Sequence, residues 1–264
     1  MQKQPQLSSC GCFCLFMFAV ICMNIANFDR YRYKYDMHVH TSPVSKCADF
    51  PPQDVVRFYS ELGFDGIVIT NHFSEKVSGR FSSDEEFLKS YLRDFYDARK
   101  YGEKYGLDVI LGMEMRFPEN KNEYLVYGIS PDDVYRAYDY VCEDYETFYK
   151  KFKSEENLII QAHPYRSVCT LQRLDIIDGI EVFNMHPGHN SGVAVAAKLA
   201  NENPQLIVSG GTDFHHEGHQ GMCALCTDRR ITDSHALSDV LKSRNYIFDI
   251  WGNKVVPTHN NLQA

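Results

Sequence analysis

Apolar segments rich in β-branched residues alternate with amphipathic segments from residue 31 to the end of the chain. Continuous apolar runs such as "GIVITNH" (66–72) and "LIIQAHP" (158–164) are typical of strands that are buried on both faces of a sheet. Because repeated strand–helix units favour a parallel sheet covered by helices, the sequence predicts an α/β fold. No long linker, internal repeat or change of composition divides the units, which indicates one barrel-like domain over residues 31–264.

Turn residues and helix caps set the boundaries of the predicted elements. Pro51 and Pro52 open the first helix and Gly63 closes it, while Asp84 opens a long helix that ends near Gly106. Strands are predicted over 33–39, 66–72, 108–117, 123–129, 157–164, 179–184, 205–215 and 245–250. Helices are predicted over 53–63, 84–106, 130–141, 144–156, 191–203 and 233–244.

Residues 1–30 form an apolar extension that contains four cysteines, at positions 10, 12, 14 and 22. Its apolar run has about the length of a signal-peptide core and falls short of the roughly 20 residues of a confident membrane span. The extension is therefore a tail, a signal or an anchor. Basic residues are denser after the run than before it, so the rest of the chain would stay in the cytoplasm even if the run anchored. Membrane contact is expected only in that case.

Composition excludes several broad classes of protein. A net charge of -8 argues against binding of duplex nucleic acid, which requires a basic face. The 9 cysteines are odd in number and irregularly spaced, which predicts a reducing, cytoplasmic compartment and no disulfide framework. Cys223 and Cys226 in "CALC" have metal or redox spacing, but without a second pair they are interpreted as buried thiols.

Residues that bind metals recur at the ends of the predicted strands. Asp36, His38 and His40 in "DMHVH" alternate along the first strand, so their side chains share one face. Four further strands carry a histidine or an acidic residue at their ends: His72, Glu114, His163, and Asp213 with His215. In barrels of parallel strands these ends meet at one face, where active sites are assembled.

A single histidine at the end of a strand is more often a hydrogen-bonded loop residue than a ligand. Recurrence on five strands changes this balance, because the residues stand among glycine, threonine and proline turns and not in charged surface segments. Imidazole and carboxylate donors together suit zinc, manganese or iron, and the lack of cysteine at these positions argues against a structural thiolate site. The pattern predicts a site for several metal ions.

Five motifs, "DMHVH", "TNH", "GMEM", "AHP" and "GTDFH", occur in the order found in the PHP (polymerase and histidinol phosphatase) family of metal-dependent phosphoesterases, which the chain resembles over residues 36–215. The resemblance implies a single distorted (β/α)7 barrel, similar to a TIM barrel. It also implies two or three divalent metal ions.

The resemblance further implies which residues hold the first metal. These are His38, His40, Glu114 and Asp213. Asp36 would orient one of the imidazoles through a hydrogen bond, a contact that fixes the tautomer and basicity of a ligand.

By the same resemblance, Glu114 bridges to a second metal bound by His163, and His72 and His215 hold a third. Many family members carry a histidine just before the strand that here reads "EYLVYGI", and in this chain Glu123 stands there. Its carboxylate is either a ligand of the second metal or an exposed residue at the start of a strand.

A second departure from the family pattern affects the third metal. The family often places Asp or His five or six residues after the second histidine of the first motif, whereas this chain has Ser45 or Lys46 there, with Cys47 and Asp49 further on. The third metal is therefore weakly held, completed by the substrate, or absent. Lys46 would instead supply positive charge and bind substrate.

Hydrolysis of a phosphate ester needs a nucleophile at neutral pH and groups that neutralise the phosphate oxygens. Clustered divalent ions supply both, and the expected nucleophile is a metal-bound hydroxide. The sequence has no G-x-S-x-G motif and no P-loop lysine that would suggest another chemistry.

Other residues near the motifs are weaker candidates. Arg166, three residues after the histidine of "AHP", would lie at the same rim, where it either grips phosphate or is a surface residue. Asn184 and His186 would line the pocket, and Glu181 would have a packing or ligand-orienting role. The histidines at 216 and 219 are interpreted as loop residues.

Three hypotheses follow. The favoured one is a metal-dependent phosphomonoesterase that acts on a small substrate, such as a histidinol-phosphate-like or nucleotide-like ester. An amidohydrolase is the alternative, because such barrels also use a His-x-His first strand and a late aspartate. The histidine two residues after the aspartate in "GTDFH" favours the phosphoesterase. A third hypothesis is a non-catalytic relative that binds metal.

Overall fold

The computed structural model describes residues 28–262. Most of the predicted extension over residues 1–30 lies outside the described residues. Within the described part, no helix combines the length and the apolar character needed to cross a bilayer. The five cysteines of this part are all free.

Strands and helices alternate through most of the described chain. The strands are β1 (Tyr33–Val39), β2 (Gly66–Ile69), β3 (His72–Phe73), β4 (Asp108–Leu111), β5 (Met113–Arg116), β6 (Glu123–Tyr127), β7 (Leu158–Gln161), β8 (Gly179–Asn184), β9 (Ile207–Gly211), β10 (Cys223–Thr227), β11 (Ile247–Ile250) and β12 (Asn253–Val255). The helices are α1 (Pro52–Glu61), α2 (Glu75–Ser78), α3 (Asp84–Tyr105), α4 (Pro131–Tyr138), α5 (Tyr145–Phe152), α6 (Val193–Glu202) and α7 (Ser234–Ser243), with a 3-10 turn at Leu174–Ile176.

The strands form two six-stranded sheets, in the orders β12-β11-β10-β1-β2-β4 and β3-β5-β6-β7-β8-β9. The α/β class is therefore confirmed, but the predicted parallel pairing holds only in part, because both sheets are mixed. Strand β10 runs antiparallel to β1, and β6 runs antiparallel to both of its neighbours. Only residues 117–122 link β5 to β6, whereas parallel neighbours need a crossover of about a dozen residues or more.

Two predicted strands, 66–72 and 108–117, each divide between the two sheets. The first becomes β2 and β3, and the second becomes β4 and β5 with Gly112 between them. A Cβ atom at Gly112 would lie 2.9 Å from a side-chain methyl of Val68 and 3.0 Å from one of Thr70. Glycine thus allows the two broken strands to cross closely at the point where the sheets meet.

The sheets also meet where β1 approaches the segment after β9. The amide of His40 donates to the carbonyl of Phe214 (3.1 Å), and the amide of Phe214 donates to the carbonyl of His38 (3.1 Å). A Cβ atom at Gly211 would lie 2.6 Å from that of His38. The absence of a side chain at Gly211 is therefore what lets β9 approach the first strand.

Helix α3 shows how the sequence places the hydrophobic core. Ser83 caps its N-terminus with a side-chain hydrogen bond, and Gly106 ends it with a left-handed φ of 70°. Phe87, Tyr91 and Phe95 recur at helical spacing and are buried. This aromatic stripe packs α3 onto the sheets. The aromatic side chains therefore belong to the hydrophobic core and do not form a ligand site.

Candidate metal centre

The metal-binding residues predicted from the sequence converge where the two sheets meet. His38 lies in β1 and Glu114 in β5, while His40, His163 and Asp213 each follow the end of a strand by one or two residues. All five are almost completely buried. The rule that strand ends assemble a site thus brings together residues that are far apart in the sequence.

Glu114 lies at the centre of this cluster. Its Oε1 is 3.1 Å from Nε2 of His38 and 3.2 Å from Nε2 of His163. Its Oε2 is 2.6 Å from Nδ1 of His72 and 3.4 Å from Nε2 of His40. One carboxylate therefore faces four imidazoles, two with each oxygen, which is the arrangement of a bridging ligand.

Asp213 provides the second central carboxylate. Its Oδ1 is 3.5 Å from Nε2 of His38, 3.3 Å from Nε2 of His40 and 3.4 Å from Nδ1 of His215. Asp213 has a backbone φ of 52° and His163 a backbone φ of 28°, values that residues other than glycine rarely adopt. Backbone strain at two residues of one cluster is typical of functional sites.

Glu123 reaches the cluster because β6 is antiparallel. The first residue of a reversed strand lies at the same edge as the last residues of its neighbours. Its carboxylate is 3.5 Å from Nε2 of His163 and 3.9 Å from Nδ1 of His72, and its side chain is 12% exposed. Glu123 is thus placed beside the other candidate ligands and not on the open surface.

Hydrogen bonds fix the tautomers of two central histidines. Nδ1 of His38 is 2.9 Å from a carboxylate oxygen of Glu181, which only accepts. Nδ1 of His40 is 3.2 Å from the hydroxyl of Ser45, which already donates to the side-chain carbonyl of Asn71 (2.8 Å). Both Nδ1 atoms therefore donate, which directs each Nε2 at the cluster, where the deprotonated nitrogen would bind a cation.

Three central atoms test whether a metal fits this site. Nε2 of His38, Nε2 of His40 and Oε2 of Glu114 are buried, and none makes a hydrogen bond with acceptable geometry to any described residue. Buried polar atoms without partners are rare, and an ion bound by them explains these three. The donors also suit a metal: ligand atoms within 4.8 Å of one another occur in His38–His40–Asp213, His72–Glu114–Glu123 and His40–His72–His215.

The charges in the site favour metal binding. Burial opposes ionisation of Glu114 and Asp213, but the nearby imidazoles, first that of His38, outweigh it and hold both carboxyl pKa values well below their usual range. Burial, together with the neighbouring imidazoles of His215 and His72, lowers the pKa of His40 well below its usual value. Ionised carboxylates and a neutral imidazole are the forms that bind cations.

The role predicted for Asp36 is wrong. Its carboxylate accepts hydrogen bonds from the hydroxyl of Tyr59 (2.6 Å) and from the backbone amides of Thr212 (3.0 Å) and His38 (3.1 Å), and it makes no hydrogen bond to an imidazole of the described residues. Glu181 orients the imidazole of His38 instead. Asp36 therefore links β1 to the segment after β9. Alternation along β1 places its side chain on the same face as those of His38 and His40, but at a position in the strand that does not reach an imidazole.

A cleft of about 510 Å³ opens onto the candidate ligands. Its wall includes Arg166 and His186, as predicted, together with three cationic side chains that the sequence analysis did not single out: Lys76, Arg116 and Lys121. Lys46 lines an adjoining lobe of about 540 Å³. Basic side chains therefore surround the entrance of an otherwise acidic protein.

Other predicted residues lie around this cleft. The amide of Asn184 donates to Glu181 (3.0 Å) and lies 3.4 Å from Asp213, so it supports the centre from behind. His216 is exposed and pairs with Asp49 (2.7 Å), which agrees with its interpretation as a loop residue.

Sequence reasoning left the contribution of Glu181 undecided and missed those of Ser45 and Cys47. Glu181 was left open between packing and orientation, and Ser45 was considered only as a missing ligand. The thiol of Cys47 interacts with the imidazoles of His215 and His72; burial opposes its ionisation, but these contacts lower its pKa to about 6. The one sequence signal for a role of Cys47 was its position a few residues after the motif "DMHVH".

This mixed α/β fold gathers histidines and carboxylates at the ends of its strands in groups that could hold metal ions. The chain belongs to the PHP family, because the PHP domain matches residues 36–250. No curated protein sequence matches the chain.

Solved structures share this fold at low sequence identity. One is a two-domain protein from Bacteroides vulgatus that contains a predicted PHP-like metal-dependent phosphoesterase (TM-score 0.58, 19% identity, 82% of this chain and 64% of that chain covered). Another is PsfC from Pseudomonas syringae (TM-score 0.57, 16% identity, 84% and 88% covered). The chain spans less than two thirds of the Bacteroides vulgatus protein, and both likenesses concern the fold alone. An amidohydrolase from Chromobacterium violaceum is more distant (TM-score 0.47, 14% identity, 70% and 88% covered) and carries no argument.

Proposed function

We propose that this chain is a metal-dependent phosphoesterase that hydrolyses a small phosphomonoester, similar to histidinol phosphate or a nucleotide. The observation that carries the proposal is the buried carboxylate of Glu114, which faces four imidazoles and has an oxygen without a hydrogen-bond partner among residues 28–262. Membership of the PHP family and the description of the Bacteroides vulgatus protein support the same reaction class.

Two or three divalent ions, of zinc, manganese or iron, are proposed as cofactors. His38, His40 and Asp213 would hold one ion with Glu114, and the same glutamate would bridge to a second. His163 and Glu123 would complete the second position, and His72 and His215 would contribute to a third. Bound there, divalent ions would supply a water-derived nucleophile at neutral pH and neutralise phosphate oxygens.

The protein's own side chains would bind and orient the substrate. Arg166 lines one lobe of the cleft and Lys46 the other, and Lys76 and Arg116 line both. A guanidinium holds phosphate through two parallel hydrogen bonds, whereas an ammonium acts as a point charge. This local excess of cations in a chain of net charge -8 is what supports a phosphorylated substrate over a neutral amide.

Several further properties are part of the proposal. The two sheets, joined at Gly112 and at Phe214, would form the distorted barrel of the PHP type over residues 31–264. The reducing, cytoplasmic location inferred from the cysteine pattern stays a prediction. The same holds for the expectation that the protein does not bind duplex nucleic acid and contacts membranes only through residues 1–30.

The proposal is tested by phosphate release from the full chain with a panel of phosphomonoesters that includes histidinol phosphate, nucleotides and sugar phosphates. Samples with added manganese or zinc are compared with chelated samples and with the His38→Ala variant. His235→Ala, an exposed histidine on α7, is the matched control. We expect release that depends on metal, is lost in His38→Ala and is retained in His235→Ala.

Two other outcomes would contradict the proposal. Turnover of cyclic or acyl amides without phosphate release would favour the amidohydrolase alternative. A folded chain that binds metal, melts at lower temperature after chelation and hydrolyses neither class would be a non-catalytic relative.

A further inference from the structure

A network of buried polar side chains lies behind the candidate metal centre. It joins helix α3 and the link between β2 and β3 to the turn that follows β1, and its members are Asp94, Asn71, Thr41 and Ser45. All four are almost completely buried, and buried polar groups in native proteins are paired with few exceptions. The direction of each hydrogen bond in the network therefore follows from the donors and acceptors that meet there.

The side-chain amide of Asn71 can face in one way only. The backbone amide of Thr41 lies 2.7 Å from its Oδ1, and because an N–H group only donates, this atom must be the carbonyl oxygen. The Nδ2 group of Asn71 then donates to the hydroxyl of Thr41 (2.8 Å) and faces a carboxylate oxygen of Asp94 (3.4 Å). Thr41 and Asp94 thus fix the orientation of this amide.

The oriented carbonyl of Asn71 sets the direction of the hydroxyl of Ser45. That hydroxyl oxygen accepts from the backbone amide of His72 (3.0 Å), and it lies 2.8 Å from Oδ1 of Asn71 and 3.2 Å from Nδ1 of His40. Its single proton goes to Oδ1 of Asn71, which only accepts. The lone pair that remains on Ser45 faces His40, so the imidazole must carry its proton on Nδ1.

Loss of the carbonyl at position 71 would reverse this arrangement. The hydroxyl of Ser45 would then be free to donate to Nδ1 of His40, and the proton of the neutral imidazole would move to Nε2. Nε2 is the nitrogen that faces Glu114 (3.4 Å) and Asp213 (3.3 Å) at the centre. A protonated Nε2 does not bind a cation, because a histidine ligates through a nitrogen without a proton.

We propose that Asn71 is a positioning residue of the metal centre, whose side-chain carbonyl acts through Ser45 to hold His40 in the tautomer with an unprotonated Nε2. The inference rests on the proposed function, because it takes His40 as a metal ligand. It concerns the tautomer of that ligand and not the release of phosphate. The backbone carbonyl of Asn71 also accepts from the amide of Glu114 (3.2 Å), a contact that a change of side chain leaves in place.

The test reads the tautomer of His40 by NMR in the full chain, free of metal and isotopically labelled at the histidine nitrogens. Couplings between the ring protons on carbon and the ring nitrogens show which nitrogen is protonated. The His40→Gln variant identifies the signals of His40 among those of the 11 histidines. We expect the Nδ1–H tautomer in the parent protein and mainly the Nε2–H tautomer in Asn71→Leu.

Zinc affinity provides the second measurement, by competition with a chromophoric chelator. It should fall by about 10-fold in Asn71→Leu, the lower end of the range for residues behind a ligand. Asn157→Leu is the matched control, because Asn157 is also buried and its side chain also accepts and donates, here with the backbone of Ser154 and Phe152 before β7. Neither the tautomer of His40 nor the zinc affinity should change in this control.

Asn71→Asp combined with Asp94→Asn is the conservative exchange. It keeps an acceptor oxygen opposite Ser45 and adds no second buried carboxylate, so it should restore the Nδ1–H tautomer and most of the zinc affinity. If Asn71→Leu does not fold, Ser45→Ala breaks the same chain of hydrogen bonds one step later and should no longer hold His40 in the Nδ1–H tautomer alone.

Three results would overturn the inference. They are an Nε2–H tautomer of His40 in the parent protein, an unchanged Nδ1–H tautomer in folded Asn71→Leu, and the same unchanged tautomer in Ser45→Ala. A purely structural role of Asn71 predicts the last two, because it alters stability without altering the tautomer. If the tautomers are as expected and phosphate is not released, the inference stands and the proposed function fails.

Discussion

The two halves of the candidate metal centre differ in how deeply their side chains are buried. In the inner half, made of His38, Glu114, Asp213 and Glu181, all four side chains are almost completely buried. In the outer half, made of His72, His215 and Cys47, the side chains of the two histidines are 23% and 11% exposed. The inner half is preorganised by buried hydrogen bonds, whereas the outer half opens onto the cleft.

Charge divides the two halves in the same way. Glu114 and Asp213 place two carboxylates among the inner imidazoles, and Glu181 adds a third behind His38. The histidines of the outer half face carboxylates from one side only: His72 faces Glu114 (2.6 Å) and, further away, Glu123 (3.9 Å), and His215 faces Asp213 (3.4 Å). We therefore expect tighter metal binding at the inner half than at the outer half.

The largest effect is expected for Glu114→Gln, because it removes the charge of the carboxylate that faces four imidazoles across both halves. Metal affinity should fall by more than the about 100-fold that marks the upper end for residues behind the ligands. Metal content after dialysis, measured by atomic spectroscopy, checks this outcome. Glu61→Gln on α1, where the side chain is 61% exposed, is the control and should bind as the parent does. An unchanged metal content in Glu114→Gln would remove the distinction between the halves.

Glu181→Gln should weaken metal binding by about 10–100-fold, because the amide keeps the shape but loses the charge that orients His38. Competition with a chromophoric chelator gives the affinity. Asp36→Asn is the informative comparison, since its carboxylate bonds to Tyr59 and the backbone and to no imidazole. If Asp36→Asn weakened metal binding more than Glu181→Gln, the assignment of the orienting residue to Glu181 would be wrong.

Ser45→Ala should have a smaller effect, because only one of the three hydrogen bonds it removes, the neutral one to Nδ1 of His40, involves the side chain of a candidate ligand. A bond of this kind contributes about 1 kcal/mol, which corresponds to roughly fivefold in metal affinity. The same titration measures it, with Ser42→Ala in the preceding turn as the control. A loss as large as that of Glu181→Gln would mean that the hydroxyl is itself a ligand.

The smallest effect on metal affinity is expected for Asp94→Asn, which should instead change how stability depends on pH. Burial raises the pKa of Asp94 to about 7. Between the unfolded value, near 4, and this folded value the native state holds a proton that the unfolded chain has lost, so the free energy of unfolding falls as pH rises through this window. The contribution is up to about 4 kcal/mol.

Asp94→Asn should therefore gain stability relative to the parent at pH 8 and not at pH 4, as measured by urea unfolding in the presence of a chelator. The amide oxygen can keep the three hydrogen bonds of Asp94, because all three go to Oδ2. Asp97→Asn, an exposed residue of the same helix, is the control. Equal differences at both pH values would show that Asp94 is ionised throughout.

The positions of most elements and candidate ligands could be predicted, because strand periodicity and strand ends are local properties. His38, Glu114 and Asp213 converge as the strand-end rule requires. The division of two strands at Gly112 could not be predicted, since it depends on how two sheets cross. The position of Glu123 was undecided for a similar reason. It depends on the direction of β6, because an antiparallel strand has its first residue at the edge of the sheet where its neighbours have their last residues.

The exchange of roles between Asp36 and Glu181 has a different cause. Both are acidic residues on inward faces of strands, and the sequence gives no distance from either to His38. Only the packing of β1 against β8 and β9 decides which carboxylate reaches the imidazole. Hydrogen bonds between strands that are distant in the sequence depend on tertiary structure, so the residue pattern of a single strand does not predict them.

The division of the ligands between two sheets has a mechanical consequence. His38 belongs to the first sheet and Glu114 to the second, so an ion that both residues hold acts as a cross-link across the seam. Separation of the sheets must then release the ion. A metal ion at a free concentration of 1,000 times its dissociation constant adds about 4 kcal/mol to the free energy of unfolding. The life span of the folded chain in a cell would therefore follow the supply of free metal, whatever substrate is present.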